Sequence, residues 1–153
     1  MIKSISIASF LLVFSFFANA QTNFPQSKDE AKKYADGVLA NLVDGNISRA
    51  SSEIRKIMQL NSNDFDVFEA QIAKAMKAAP NALGASMSYE FVCERELGAN
   101  LVQLQYFIHY EKMPINFSFV FFKAKNGWAM INFNFNDTVK TYFENNNCIN
   151  VKK

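Results

Sequence analysis

The stretch NFSFVFFKAKNGWAMINFNFN, residues 116–136, constrains the fold more than any other part of the chain. Phenylalanines alternate with small polar residues on both sides of a short Lys-Asn-Gly sequence. A period of two is typical of strands that bury one face, so the stretch predicts a β-hairpin. Because neighbouring side chains of a strand point to opposite faces, the length of the connecting loop decides which of them enter the core.

Two loop lengths are compatible with this hairpin. A two-residue turn at Asn126-Gly127 would mix core and solvent residues on each face. A three-residue loop, Lys125-Asn126-Gly127, would separate them, and we therefore predict the longer loop. The inner face then carries six apolar residues, namely Phe117, Phe119, Phe121, Ile131, Phe133 and Phe135.

The same loop length leaves an unusual outer face. The solvated face of an antiparallel sheet normally carries charged and polar side chains, whereas this one combines apolar side chains with neutral amides. Interface cores favour aromatic residues and Met and are depleted in charge. We therefore predict an interface formed by Phe107, Val120, Phe122, Trp128, Met130, Asn132 and Asn134.

The first half of the chain shows helical spacing. Apolar residues recur at this spacing after a capping box at Ser27 and Glu30, then over residues 47–58. A third helix carries Phe65 on its buried face and is expected to stop at Pro80. These patterns predict three helices before the first strand.

From Met87 onward the period changes to two. The first strand alternates so that Phe91 and Cys93 share a face, and "LGAN" turns it into a second, longer strand. One side of the second strand carries Val102, Leu104, Tyr106, Ile108 and Tyr110. Three helices followed by a four-stranded antiparallel meander predict an α+β fold with the helices gathered on one face of the sheet.

The first twenty residues have the composition of a secretory signal peptide. Lys3 precedes an apolar run, and Ala18 and Ala20 lie at the positions preferred before a signal-peptidase cleavage site. The run is shorter than the roughly 20 residues that span a bilayer. We predict a signal peptide at 1–20, one domain at 21–144 and a C-terminal tail at 145–153. The mature chain would be exported, periplasmic or secreted, and soluble, with no transmembrane segment.

Charge and residue types exclude several function classes. The chain has 16 basic and 14 acidic residues, and the basic ones form no cluster before Lys152-Lys153. Nucleic-acid binding needs concentrated positive charge, so we expect none. His109 is the single histidine and the two cysteines lack CxxC spacing, so we predict no metal site and no cofactor.

The two cysteines, Cys93 and Cys148, both lie in the predicted mature chain. In an exported protein an even number of cysteines favours a disulfide, which here would tie the C-terminal tail to the first strand. The alternative is that no bridge forms, and the sequence does not give the distance that decides between them.

Residues 110–137, YEKMPINFSFVFFKAKNGWAMINFNFND, are similar to a pattern found in small exported bacterial proteins. The pattern is an EK-x-P sequence, two aromatic strands around a Gly-Trp turn, and an acidic residue. With helices first and strands after, the chain resembles the nuclear-transport-factor-2-like group of cystatin-like α+β rolls. The resemblance implies three helices packed on a bent four-stranded antiparallel sheet, dimerisation through the outer sheet face, and a pocket between sheet and helices. It implies no activity, because this fold hosts enzymes and binding domains alike.

The leading hypothesis is a non-catalytic binding or oligomerisation domain that uses the outer sheet face, either as a homodimer or with a protein partner. The alternative is a pocket protein that binds a small apolar ligand or uses His109 or a pocket carboxylate as a base, with Glu94 or Glu96 orienting the histidine. Candidate pocket residues, which have an ordinary core role as their alternative, are Tyr34, Met58, Phe68 and Tyr106. A cystatin-type protease inhibitor would need a QxVxG hairpin, which the sequence lacks.

Overall fold

The computed structural model describes residues 24–137. Three helices come first: α1 spans Lys28–Val43, α2 Ile47–Ile57 and α3 Ser62–Leu83. Four strands follow: β1 spans Ser86–Leu97, β2 Leu101–Tyr110, β3 Pro114–Ala124 and β4 Gly127–Asn136. The predicted α+β class is confirmed. The predicted signal peptide, its cleavage site, the C-terminal tail and Cys148 lie outside the described residues.

The start of α1 shows the predicted cap in a modified form. The Ser27 hydroxyl accepts a hydrogen bond from the Glu30 backbone N–H at 3.1 Å. The Glu30 carboxylate accepts in turn from the backbone N–H of Gln26 at 2.7 Å, one residue before the position that a capping box uses. The first contact satisfies a free donor of the first helical turn and the second a donor just before the helix, so the helix begins where the sequence indicates.

Helix α3 passes through Pro80, where the sequence predicted its end, and that prediction is wrong. The helix continues to Leu83 and ends at Gly84, whose φ is +82°. A proline removes one backbone donor and crowds the preceding turn. Pro80 lies in an exposed last turn of the helix, and packing of the residues before it, such as buried Met76, holds the helix together.

The sheet has the strand order β1-β2-β3-β4, and every neighbouring pair is antiparallel. β2 and β3 pair without irregularity from Leu101–Phe122 to His109–Pro114. The predicted faces of β2 are confirmed, since its even-numbered residues join the core. That core is one cluster of buried side chains from all three helices and the inner sheet face, including Ala35, Leu39, Ile54, Ile72, Leu104, Tyr106, Phe117 and Phe119.

The β3–β4 hairpin differs from the prediction at its loop. Ala124 pairs with Gly127, so the loop contains two residues, Lys125 and Asn126, and the predicted three-residue loop is wrong. From Val120–Asn132 to the far end the pairing is the predicted one. Ile131 is the extra residue of a β-bulge that joins the two registers.

The bulge exchanges the faces of three residues in β4. Trp128 and Met130 are buried members of the core cluster, with exposed fractions of 4% and 0%. Ile131 is 42% exposed. The prediction that Ile131 faces inward is therefore wrong, and so is the prediction that Trp128 and Met130 lie on the outer face.

A second bulge alters β1. Phe91 pairs with Tyr106 and Cys93 pairs with Gln105, so Val92 is the extra residue. Tyr106 points inward and Gln105 outward, and Cys93 therefore lies on the outer face. The prediction that Phe91 and Cys93 share a face is wrong. Cys93 is completely buried and yet lies outside the core cluster.

The outer edge of β4 is partly covered by backbone. The Trp128 N–H donates to the Pro25 carbonyl at 2.7 Å, and the Gln59 N–H donates to the Met130 carbonyl at 3.2 Å. Met58 forms a parallel bridge with Met130. These contacts occupy groups that an edge strand otherwise presents to other chains.

Candidate interaction surface on the outer sheet face

The strand registers arrange the outer face as cross-strand rows. Four rows run across the sheet from β1 to β4. The first lies at the end of the sheet where the β1–β2 and β3–β4 hairpins turn, and the fourth lies farthest from these turns. In order from the hairpin turns they are Leu97-Leu101-Phe122-Ala129, then Arg95-Gln103-Val120-Asn132, then Cys93-Gln105-Ser118-Asn134, and last Glu90-Phe107-Asn116-Asn136.

The row nearest the turns is apolar across all four strands. Leu97 is 75% exposed and Phe122 is 40% exposed, while Ala129 is buried. We define the hairpin-end patch as this row's exposed members together with the two apolar residues beside it: Leu97, Leu101, Phe122, Val120 and Ile131. Monomeric proteins expose single apolar residues routinely, but contiguous groups mark contact surfaces.

A cavity of about 280 Å³ lies at the same end of the sheet. Three of its lining residues, Leu97, Leu101 and Val120, belong to the hairpin-end patch. Its polar lining residues are Arg95, Glu96 and Gln103. Four of the seven lining residues are apolar, a composition that suits the binding of an apolar side chain.

The third and fourth rows are mostly polar, and several of their residues are buried, namely Cys93, Gln105, Ser118 and Asn116. The Gln103 amide donates to the Ser118 hydroxyl at 2.8 Å. Gln105 and Asn116 are only 5% and 3% exposed, and their side-chain carbonyl oxygens accept no hydrogen bond from any described residue. We define the middle rows as the two that contain these amides, from Cys93 to Asn134 and from Glu90 to Asn136.

His109 lies on the outer face beyond the middle rows. Its Nε2 is 3.0 Å from Glu90 Oε2, and both side chains are partly exposed. Glu94 and Glu96, which were predicted as its orienting partners, lie on the other side of the β1 bulge and align with the inner face. Glu96 pairs instead with Lys28. The structure thus supplies a different carboxylate for His109 than the sequence suggested.

The four residues predicted to line an inner pocket are dispersed in the core. Tyr34 donates its hydroxyl to the Glu53 carbonyl and so links α1 to α2. Met58 reaches β4, and Phe68 makes an edge contact with Phe133 at 5.8 Å between centroids. Tyr106 is fully buried. The cavity described above is lined by none of the four. Their role in ligand binding stays a prediction.

Two of the four residues, Tyr106 and Tyr34, have hydroxyls whose pKa values are raised. Burial raises the pKa of the Tyr106 hydroxyl, and the negative charge of Asp36 raises that pKa further. The hydroxyl makes no hydrogen bond of normal geometry with a described residue. Burial likewise raises the pKa of the Tyr34 hydroxyl, and the negative charge of Glu53 raises that pKa further. Both hydroxyls are therefore neutral at neutral pH.

The structure keeps part of the predicted interface and adds to it. Phe107, Val120, Phe122, Asn132 and Asn134 lie on the outer face as predicted, and their part in an interface stays a prediction. The sequence missed Leu97, Leu101 and Ile131. Leu97 and Leu101 flank the turn of residues 98–100, and their opposition across that turn could have been predicted from the sequence.

The described residues contain neither a cluster of metal-ligating side chains nor a membrane-spanning helix. No group of three or more His, Cys, Asp or Glu side chains between residues 24 and 137 is placed to hold a metal ion. Among the described helices, none is long and apolar enough to cross a membrane.

Comparison with known proteins adds one weak structural likeness. No protein-family model matches the chain, and no curated protein matches it. A crystal structure from Campylobacter jejuni, described as an NTF2-like transpeptidase, has a similar fold. It aligns with a TM-score of 0.48 and 10% sequence identity, over 67% of this chain and 97% of that one. A likeness of this strength says nothing about the activity of the present chain.

Proposed function

We propose that the protein is an exported, non-catalytic binding domain whose contact surface is the hairpin-end patch. The observation that supports this most is the apolar row that crosses the sheet between its two turns, in which Leu97 and Phe122 are exposed at 75% and 40%. Leaving such side chains in water costs about 25 cal/mol per Å² of apolar surface, which a partner would recover by covering them.

The chemistry of the patch fits a protein partner. Exposed Phe122 and Leu97 lie beside a cavity that can accept an apolar side chain. Charged residues of both signs, Arg95 and Glu96, lie in the cavity wall. An apolar centre with a mixed polar rim is the usual composition of a protein–protein contact.

A second copy of the chain is the first partner to consider. Two-fold symmetric contacts bring the same patch of each subunit together, so the patch must complement itself. Exposed Phe122 and a cavity lined by Leu97, Leu101 and Val120 meet this requirement, because each subunit could insert its Phe122 side chain into the cavity of the other. A homodimer through the outer face is therefore part of the proposed function.

Export belongs to the same proposal. It is supported by the sequence of residues 1–20, whose apolar run and Ala-x-Ala ending are those of a cleaved leader. An exported chain would work in the periplasm or outside the cell. That compartment would also allow the predicted bridge between Cys93 and Cys148, since disulfides persist in oxidising surroundings.

The alternative pocket function keeps one supporting observation. His109 and Glu90 form a contact of 3.0 Å on the exposed face, and a carboxylate beside a histidine is an arrangement used by general bases. Replacement of His109 by Gln would abolish a proton-transfer activity and would leave association through the hairpin-end patch unchanged.

Association can be tested with a matched pair of variants. Phe122→Ser removes the largest side chain of the patch, and Val67→Ser removes an apolar side chain of α3 that is 61% exposed and lies far from it in sequence. We expect sedimentation velocity of the mature chain to show dimerisation that Phe122→Ser weakens about tenfold or more, the size of an interface hot spot. Val67→Ser should dimerise like the wild type.

A strict monomer would leave a different protein as the partner. A photo-crosslinking amino acid at position 122 in exporting cells should then trap a defined adduct that the same amino acid at position 67 does not. If the wild type is monomeric and positions 122 and 67 trap the same products, the hairpin-end patch is not a contact surface.

A further inference from the structure

The middle rows of the outer face present a contradiction. Cys93 is 0% exposed, Gln105 5%, Ser118 8% and Asn116 3%. The buried apolar residues of all three helices belong to the cluster on the inner face, and these four do not. Outward-facing side chains of a sheet are solvated unless another layer covers them. Burial of this degree on the face away from the helices therefore requires a covering layer.

Two buried hydrogen-bond acceptors indicate which chemical groups the covering layer must contain. The side-chain oxygens of Gln105 and Asn116 are inaccessible and accept no hydrogen bond from residues 24–137. A buried polar atom without a partner costs about 1–3 kcal/mol, so the covering layer must supply donors. It must also supply apolar surface, because Phe107 lies between these amides in the same rows.

We propose that the covering layer is the C-terminal segment of the chain itself, residues 138–153, fastened by a disulfide between Cys148 and Cys93. This segment has the sequence TVKTYFENNNCINVKK. Tyr142 and Phe143 provide apolar area, and Asn145-Asn146-Asn147 provide amide donors for the orphaned oxygens. The disulfide rests on the proposed export, but the position of the segment does not depend on what binds at the hairpin-end patch.

The length and starting point of the segment fit this placement. β4 ends at Asn136, whose neighbour across the sheet is Asn116 in the last row. Cys93 lies three strands away and one row nearer the turns. Three strand spacings amount to about 14 Å. Cys148 follows Asp137 by eleven positions, which cover about 16 Å even as a helix and more when extended.

The bond forms by thiol–disulfide exchange in the exporting compartment. The Cys93 and Cys148 thiols lose two protons and two electrons as their sulfurs join. An oxidised protein dithiol of that compartment accepts the two electrons, and its own disulfide becomes two thiols. The β1 bulge at Val92 makes this possible because it turns Cys93 outward.

Covering of the middle rows also limits the outer face available to partners. The hairpin-end patch stays exposed, whereas Gln105, Ser118 and Asn116 do not. The proposed cover therefore defines the boundary of the contact surface at the row that contains Val120 and Gln103. A partner would approach the turn end of the sheet and meet the cover only at its margin.

Peptide mapping of the exported wild-type chain tests the bond. Trypsin cleaves after Lys77, Arg95, Lys140 and Lys152, so the bridge would join peptide 78–95 to peptide 141–152. We expect this linked peptide without reductant, with its separation into two peptides on reduction. Recovery of both peptides unlinked from thiol-blocked, non-reduced protein would overturn the disulfide.

Thiol labelling of full-length variants tests the cover. In Cys148→Ser, Cys93 should react slowly, because the segment stays in place through its aromatic contacts. Adding Tyr142→Ser and Phe143→Ser should accelerate the labelling of Cys93 by about tenfold or more, since exposure of a protected group tracks local opening. The control adds Lys152→Ser and Lys153→Ser to the same background and should not. Equal rates for the two sets of variants, with both folded by circular dichroism, would show that another layer covers Cys93.

Discussion

Phe121 lies opposite Met130 in the β3–β4 ladder, although Val120 lies opposite Asn132. Ile131 is the residue between these two registers and has no opposite partner. This single bulge reconciles a two-residue loop with separated faces. Without it, a loop of Lys125 and Asn126 would place Phe119 opposite Asn132 and mix core with solvent residues.

The bulge predicts unequal effects for two adjacent substitutions. Met130→Ala should lower the free energy of unfolding by about 2–5 kcal/mol, because a fully buried side chain leaves a cavity. Ile131→Ala should cost less than about 1 kcal/mol, since that side chain is 42% exposed. Urea titration of both variants measures the difference. A larger loss of unfolding free energy for Ile131→Ala than for Met130→Ala would indicate that β4 pairs in the regular register predicted from the sequence.

The sequence predicted the order of the elements because their periods are strong and uninterrupted. The faces of β2 followed from Val102, Leu104 and Tyr106, which alternate without a break. The bulges could not be predicted in the same way. Either loop length can place the phenylalanines on one face. Which loop forms depends on whether burial of Trp128 and Met130 stabilises the fold more than burial of Ile131. Burial of the larger pair removes more apolar surface from water, and that gain appears only once the neighbouring helices are in place.

The candidate site was predicted less completely than the fold. Phe122 and Val120 were assigned to the outer face, because β3 keeps its alternation throughout. Cys93 was assigned to the wrong face, because one extra residue in β1 reverses the parity of everything after it. Leu97 was overlooked because an apolar residue beside a glycine turn looks like the end of a strand rather than part of a surface.

Gly127 should not tolerate a side chain. Its φ is +128°, and a Cβ at this position would lie 2.6 Å from the Pro25 carbonyl oxygen and 2.8 Å from Phe24 Cβ. Gly127→Ala should therefore destabilise the protein by about 1 kcal/mol or more. The loss should also loosen the N-terminal residues from β4, which hydrogen exchange at the Trp128 amide would report.

Gly37 is the matched control for that substitution. It lies inside α1, and a Cβ there would meet nothing within 4 Å. Gly37→Ala should raise the free energy of unfolding by about 0.5–1 kcal/mol, because alanine is the better helix former. If Gly127→Ala raises the free energy of unfolding as Gly37→Ala does, the backbone at Gly127 is not constrained as described.

The Tyr106 hydroxyl should make stability fall in alkaline solution. Its pKa in the folded chain is raised, first by burial and then by the charge of Asp36, above the value of about 10 in the unfolded chain. Above pH 10 the unfolded chain therefore binds fewer protons than the folded one. The stabilising contribution is complete below that pH and declines as the pH rises, at about 1.4 kcal/mol per pH unit for one tyrosine.

Tyr106→Phe isolates this contribution. Burial also raises the pKa of Tyr110, so the variant should retain a decline above pH 10 that is shallower than that of the wild type by about 1.4 kcal/mol per pH unit. At pH 7 the two proteins should differ by less than about 1 kcal/mol, because the hydroxyl that is removed makes no hydrogen bond of normal geometry with a described residue. Urea titrations at intervals between pH 8 and pH 11 provide the comparison. Parallel curves would mean that the Tyr106 phenol ionises as freely in the folded chain as in the unfolded one, and that its surroundings are more polar than the contacts with Phe91 and Phe119 indicate.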